Sequence, residues 1–289
     1  MSISQCCIAL LLTAGCVLST PLALSTSAAQ SNSHSPLVKR KCGQRLMEPL
    51  RPQEETSRRP KIEQWPWVGT LFIRYGSDPP VFACLVTILN DRFVLTARYC
   101  LTSGRRRVTP LDLVVRLRMD SFDRTEQTST HEFEVDEFYT SNTTDPLAAL
   151  ALLRLSSEIN MNVFARPICL WESGDENQEL VDKTGTLVGW QSNLFGGLEQ
   201  NMRELNVVIV PSQMCPMLPE VMVGKICAQV QNDLTYGHGD GGGGLYVEEE
   251  SVWYVKGIIV KFDVIGLEQQ HLSFIDISPH LKWIRWIIE

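Results

Sequence analysis

Long apolar runs are missing from this 289-residue chain: residues 6–18 form a stretch of about 13, whereas a membrane-spanning helix needs about 20. No later run approaches that length, so no membrane span is expected. Cationic surface is also lacking, because the formal net charge is −7 and no long basic stripe follows residues 38–45. A nucleic-acid partner, which needs phosphate-neutralising Lys and Arg, is therefore excluded. Metal-ligand spacings such as C-x-x-C and H-E-x-x-H are absent around His34, His131, His271 and His280, so neither a metal nor another cofactor is expected. Helical periodicity is scarce, no solenoid-length repeat occurs, and low complexity is confined to Gly241, Gly242, Gly243 and Gly244. What the chain does have is 44% hydrophobic residues, enough to bury a sizeable core.

The apolar stretch at residues 6–18 runs into small and polar residues ending Ser27-Ala28-Ala29, which reads as a secretory leader over residues 1–29, although no Lys or Arg precedes the run. Of nine cysteines, Cys6, Cys7 and Cys16 fall in that leader, leaving Cys42, Cys84, Cys100, Cys169, Cys215 and Cys227. In an oxidising compartment these six form three disulfides, with 15 connectivities open to sequence alone. Asn142-Thr143-Thr144 is a glycosylation sequon suited to a surface loop.

Residues 30–64 are polar and lack a hydrophobic period, as expected of an extended arm tethered by Cys42. Residues 65–289 then carry short apolar runs between turns, at 67–73, 82–89, 93–97, 113–117, 147–155, 185–189, 205–210 and 253–260. These predict strands of an all-β barrel or sandwich domain. Near the C-terminus Ser278 is expected to cap a helix with Pro279 at its first position, and Leu281, Ile284 and Ile288 recur at helical spacing. Trp283 and Trp286 are expected to pack that helix onto the barrel rather than onto a membrane.

Three blocks resemble, in order, those of the chymotrypsin-fold, trypsin-like serine protease family. Phe93-Val94-Leu95-Thr96-Ala97-Arg98-Tyr99-Cys100 resembles V-L-T-A-A-H-C, Ala149-Leu150-Ala151-Leu152-Leu153 resembles D-I-A-L-L, and Gly239-Asp240-Gly241-Gly242-Gly243-Gly244-Leu245 resembles G-D-S-G-G-P-L. Trp65-Pro66-Trp67, Gly189-Trp190 and Pro167-Ile168-Cys169-Leu170 match further family segments. The resemblance implies two perpendicular six-stranded β-barrels with a short C-terminal helix. It also implies the pairs Cys84–Cys100, Cys215–Cys227 and Cys42–Cys169, the last tying the arm to the domain. Lys41-Cys42-Gly43-Gln44-Arg45 is similar to the corresponding block of arthropod serine protease homologues.

By the same resemblance, the positions of the catalytic His, Asp and Ser hold Tyr99, Ala149 and Gly241. An activated serine needs a base to take its proton and a carboxylate to orient that base. None of the three roles is filled, so no peptidase activity is expected. The vestigial specificity pocket carries Thr235 at its base, and Val260-Lys261-Phe262 where the family has S-W-G, so Phe262 is expected to obstruct it. A pocket-wall cysteine is replaced by Gly237. Gly239 and Asp240 mark the vestigial oxyanion loop, but residues 53–57 read Gln-Glu-Glu-Thr-Ser where an I-V-G-G-like activation terminus would stand. The glycine-rich loop is therefore expected to be mobile.

Plainer readings hold elsewhere: His238 as a solvent-facing loop residue, Asp145 as an Asp-Pro turn, Glu248-Glu249-Glu250 as a solvated turn. Lys39-Arg40-Lys41 reads equally as a processing site or a solvated basic patch. Tyr99 either fills the old His site or forms part of a binding surface. The expected protein is a secreted, extracellular, non-catalytic homologue that regulates proteolysis as a protein-binding cofactor or decoy. Its expected partners are extracellular proteins, among them active serine proteases, their substrates or inhibitors. The alternatives are relocated hydrolase chemistry and a passive extracellular structural protein.

Overall fold

Runs of β-branched and large apolar side chains dictate the first strands, because both faces of a barrel strand at an interface between layers can be buried. In the computed structural model, β1 (Val68–Ile73), β2 (Val81–Ile88), β3 (Phe93–Ala97), β6 (Leu113–Leu117), β7 (His131–Thr140) and β8 (Leu150–Leu155) close into one barrel in the order β1-β2-β3-β8-β7-β6. Two short strands, β4 (Thr102–Ser103) and β5 (Arg106–Arg107), pair beside it. The structure describes residues 42–46, 62–103, 106–119, 130–143, 145, 149–172, 180–190, 201–215, 223–231, 240–260 and 271–289. The leader, the stretch 53–57 and the expectations for Thr235, Gly237, His238, Gly239, Lys261 and Phe262 lie outside the described residues.

The second barrel is built from β10 (Thr184–Gly189), β11 (Arg203–Val210), β12 (Lys225–Val230), β13 (Gly244–Glu249), β14 (Val252–Ile259) and β15 (His271–Asp276). Its sheet runs β13-β10-β11-β12-β15-β14, and the β13–β14 hairpin closes the ring. That hairpin turns at Glu250 and Ser251, both with positive φ (50° and 62°), the backbone twist that matches two antiparallel strands. Glu248 and Glu249 belong to β13, so only Glu250 of the acidic triplet is a turn residue. The short β9 (Cys169–Leu170) adds in parallel to β14. The two barrels thus have the chymotrypsin-like architecture expected from the resemblance.

Among the described residues three disulfides are formed, Cys42–Cys169, Cys84–Cys100 and Cys215–Cys227. Among the described residues Ile62, just before Trp65, is already buried, 1% exposed. The C-terminal helix α1 (Leu281–Ile288) is present, but Ser278 does not cap it. Residues Ser278–His280 form a preceding 3₁₀ turn, and the Ser278 hydroxyl accepts a hydrogen bond from Lys256 at 2.7 Å instead. Ile284 is fully buried and Trp283 packs on the core, whereas Trp286 is 80% exposed, correcting the expectation that both tryptophans pack.

Candidate functional site

Strand pairing brings the first two motif positions together. Ala97 of β3 faces Leu150 of β8, and the chain just beyond that pair is tied by a bond from Arg98 N–H to Ala149 C=O at 2.8 Å. Tyr99 follows on the 3₁₀ turn Arg98–Leu101. The third position arrives from the second barrel, where Gly241 C=O accepts the N–H of Leu85 of β2 at 2.7 Å. A Cβ on Gly241 would lie 3.2 Å from the Tyr99 hydroxyl oxygen and 3.7 Å from Cys84 Sγ. Residues 99 and 241, distant in sequence, therefore meet at the seam between the barrels, and Ala149 is bonded to Arg98, the neighbour of Tyr99.

Tyr99 is chemically committed there. Its hydroxyl donates to Ile259 C=O at 3.1 Å and accepts the N–H of Gly242 at 2.9 Å. Burial pushes its pKa well above the ordinary tyrosine range, the Gly242 bond opposes that shift, and the Asp240 charge adds to it. Folding thus favours the neutral phenol, so its contribution is intact below the unfolded value near ~10 and fades only as pH climbs past it. Neutral and doubly bonded, this phenol is no base. Ala149 and Val260 are each 1% exposed, so apolar side chains occupy the places where the resemblance puts polar ones.

The turn carrying Gly241 is closely fitted. Gly242 has φ +75°, and a Cβ there would stand 2.4 Å from Thr96 Oγ1 and 2.8 Å from Cys100 Sγ, which only glycine avoids. Gly243 N–H donates to Asp240 C=O at 3.1 Å, and Ile259 N–H donates to Gly243 C=O at 2.9 Å. Residues 240–244 are all buried. The Asp240 side chain, 6% exposed, packs against Gly189.

Asp145 is more than the turn residue expected. Its carboxylate meets Lys225 Nζ at 2.6 Å, linking the loop before β8 to β12 of the other barrel, with the Lys225 side chain fully buried. The only hint in sequence was a lysine opening the apolar stretch Lys225-Ile226-Cys227-Ala228. Asn142 is exposed on the same loop, and its sequon partner Thr144 lies outside the described residues. Among the described residues no group of three or more His, Cys, Asp or Glu side chains could hold a metal ion, and no helix is long and apolar enough to cross a membrane.

A second constellation was not anticipated. Beyond the Cys42–Cys169 link, Gly43 donates to Pro167 C=O and accepts from Trp253 N–H, both at 2.8 Å. Gly43 has φ +67°, and a Cβ there would come within 2.3 Å of Trp253 O. This approach sets Arg45 Cζ 4.2 Å from the ring centres of both Trp65 and Trp253. Burial lowers the Arg45 pKa, opposed by Glu204 and Glu248, and Trp65 Nε1 donates to Glu204. An open groove of about 620 Å³, lined in part by Lys183, Thr186, Glu248 and Trp253, adjoins it, away from Tyr99. Arg45→Ala is expected to cost about 1–2 kcal/mol by urea denaturation, from a desolvated cation over two indoles. A loss below ~0.3 kcal/mol would mean that the arm's disulfide alone holds it.

Comparison with known proteins agrees with this geometry. A family model described as Trypsin matches residues 56–284. Phenoloxidase-activating factor 1 of Holotrichia diomphalia is 23% identical over 243 residues, covering 77% of this chain and 66% of the relative. CLIP domain-containing serine protease B14 of Anopheles gambiae is 24% identical over 258 residues, covering 78% and 69%. Phenoloxidase-activating factor 3 of Holotrichia diomphalia is 24% identical over 244 residues, again covering 78% and 69%. The chain thus spans about two thirds of the length of these arthropod relatives. With the model matching well over half of its residues and two closed barrels meeting at the motif positions, the chain belongs to the trypsin family.

Proposed function

We propose that this trypsin-family protein is a secreted, non-catalytic regulator that binds other proteins of an extracellular proteolytic cascade. The observation that carries the reading is the seam itself. Gly241 offers no nucleophile, the Tyr99 hydroxyl beside it is held by Ile259 and Gly242, and Ala149 offers no carboxylate. Acyl transfer needs a nucleophile, a base and an orienting acid acting together. Retention of all three disulfides supports a folded domain kept for contact rather than chemistry. Similarity to CLIP-domain proteases and phenoloxidase-activating factors supports a cascade setting, with active serine proteases, their substrates or inhibitors as partners.

The test combines labelling with reconstitution. The mature protein, intact and with its arm cut, is exposed to a fluorophosphonate probe and to chromogenic peptides. It is then titrated into an arthropod CLIP-domain protease acting on its zymogen substrate. No label, no turnover, and a saturable change in the rate of zymogen cleavage are expected. Labelling or catalytic turnover would overturn the non-catalytic reading, and an unchanged cleavage rate at every concentration would overturn the regulatory one.

A further inference from the structure

The turn at residues 240–244 poses a physical question, because its sequence is Asp-Gly-Gly-Gly-Gly and glycine gives up more backbone freedom on folding than any other residue. Such a segment keeps one conformation only if its peptide groups are held from outside. At residues 240–243 four bonds do this, the second of them within the turn itself: Leu85 N–H to Gly241 C=O, Gly243 N–H to Asp240 C=O, Ile259 N–H to Gly243 C=O, and Gly242 N–H to the Tyr99 hydroxyl. Three of them are backbone contacts that many sequences would make. The fourth comes from a side chain of the other barrel.

From this we propose that Tyr99 is the positioning residue of the glycine-rich turn, a fixed bolt that orders residues 240–244 in the uncut chain. The bolt works at both ends. Its oxygen takes the Gly242 N–H, while its O–H is spent on Ile259 C=O, at the end of the strand whose Ile259 N–H holds Gly243. One hydroxyl thus ties the turn to β14 and to the 3₁₀ turn after β3, whose Cys100 is joined to β2 through Cys84. The ring packs against the buried core, so rotation away would lose apolar contact as well as both bonds. Burial holds the phenol in its neutral, donating form, as the bolt requires. This goes beyond the proposed function: a non-catalytic protein could equally have a turn that orders only when a partner or a new chain terminus arrives.

Hydrogen exchange on the full-length secreted protein tests it. Peptides covering residues 240–245 are followed by mass spectrometry in wild type, Tyr99→Phe and Asp145→Asn, each intact and after limited cutting at Arg51, Arg58, Arg59 or Lys61. Phenylalanine keeps the ring and removes only the hydroxyl, so the fold is retained and the barrel strands serve as internal controls. Wild type is expected to be equally protected before and after the cut. Tyr99→Phe is expected to exchange at least ~10-fold faster at this turn, because a buried N–H and a buried C=O lose their partner. Asp145→Asn, which weakens a barrel-to-barrel ion pair away from the turn, is expected to leave the turn unchanged. Protection that appears only after the cut would overturn the proposal, as would unchanged exchange in Tyr99→Phe or equal acceleration in Asp145→Asn.

Discussion

Asp276→Asn is expected to lower unfolding stability by about 3–5 kcal/mol, because it removes one charge of a buried pair and strands the other. Lys256 and Asp276 have side chains only 2% and 7% exposed, with Nζ and Oδ1 at 3.2 Å. Lys256 also donates to the Ser278 hydroxyl at 2.7 Å, and Asp276 Oδ1 accepts the Ser278 N–H at 2.9 Å. Asparagine keeps the shape and leaves the ammonium facing a neutral amide. Asp276 ends β15 and Ser278 opens the turn into α1, with Lys256 reaching them from β14, so the substitution also loosens the turn that seats the helix. Urea denaturation followed by tryptophan fluorescence measures the loss, and a value under ~1 kcal/mol would mean that water reaches Lys256. Lys256→Met combined with Asp276→Leu is expected to recover most of it, since the pair's attraction mainly offsets its own desolvation.

That pair, like Asp145 with Lys225, was out of reach of the sequence for a definite reason. A buried lysine is recognised by what faces it, and the partners lie 20 and 80 positions away in sequence. Local pattern fared better where one strand carried its own signal. The strands 93–97 and 113–117 stand where their apolar runs placed them. β7 was missed although Phe133 and Val135 alternate with Glu132, Glu134 and Asp136, because the acidic residues outweighed a period-two pattern with only two buried members. Strand β12 was missed for the opposite reason, Lys225 and Gln229 flanking and hiding a buried Ile226-Cys227-Ala228 centre.

Position and contact separate in the same way at the seam. Ordered motifs singled out Tyr99, Ala149 and Gly241 by their places in the resembling blocks, not by what they touch. They left open which groups the Tyr99 hydroxyl would meet. Glycine count suggested a mobile turn, and the fit of Gly242 between Thr96, Cys100 and Leu85 depends on segments that are distant from it in sequence. The aromatic walls around Arg45 likewise join residues from the arm, the entry to β1 and β14, so composition could report the tryptophans but not the cage.

Restoring Gly241→Ser, Tyr99→His and Ala149→Asp together is expected to leave hydrolysis of chromogenic peptides at least ~10⁴-fold below that of an ordinary trypsin-like enzyme. The nucleophile itself is not the obstacle. A serine Cβ at 241 approaches the Tyr99 oxygen at 3.2 Å, and the histidine change removes that oxygen. The obstacle is the acid. A carboxyl at 149 would enter a site where Ala149 and Val260 are each 1% exposed, with Val260 where the resemblance puts a hydroxyl, and desolvation raises a carboxyl pKa. Kept neutral, it cannot hold the imidazole in its productive tautomer, and loss of that orientation alone costs about 10⁴ in rate. The same change removes the hydroxyl that Gly242 and Ile259 use, loosening the turn on which oxyanion donors must be preorganised. Thr235 and Phe262, outside the described residues, are expected from the resemblance to leave the pocket uncharged and obstructed. Rates are measured with Arg, Phe and Leu at the scissile position, before and after cutting the arm. A triple variant within ~10-fold of a trypsin-like rate would mean that the seam still accommodates a working acid–base pair, and the picture of an apolar, bolted site would be wrong.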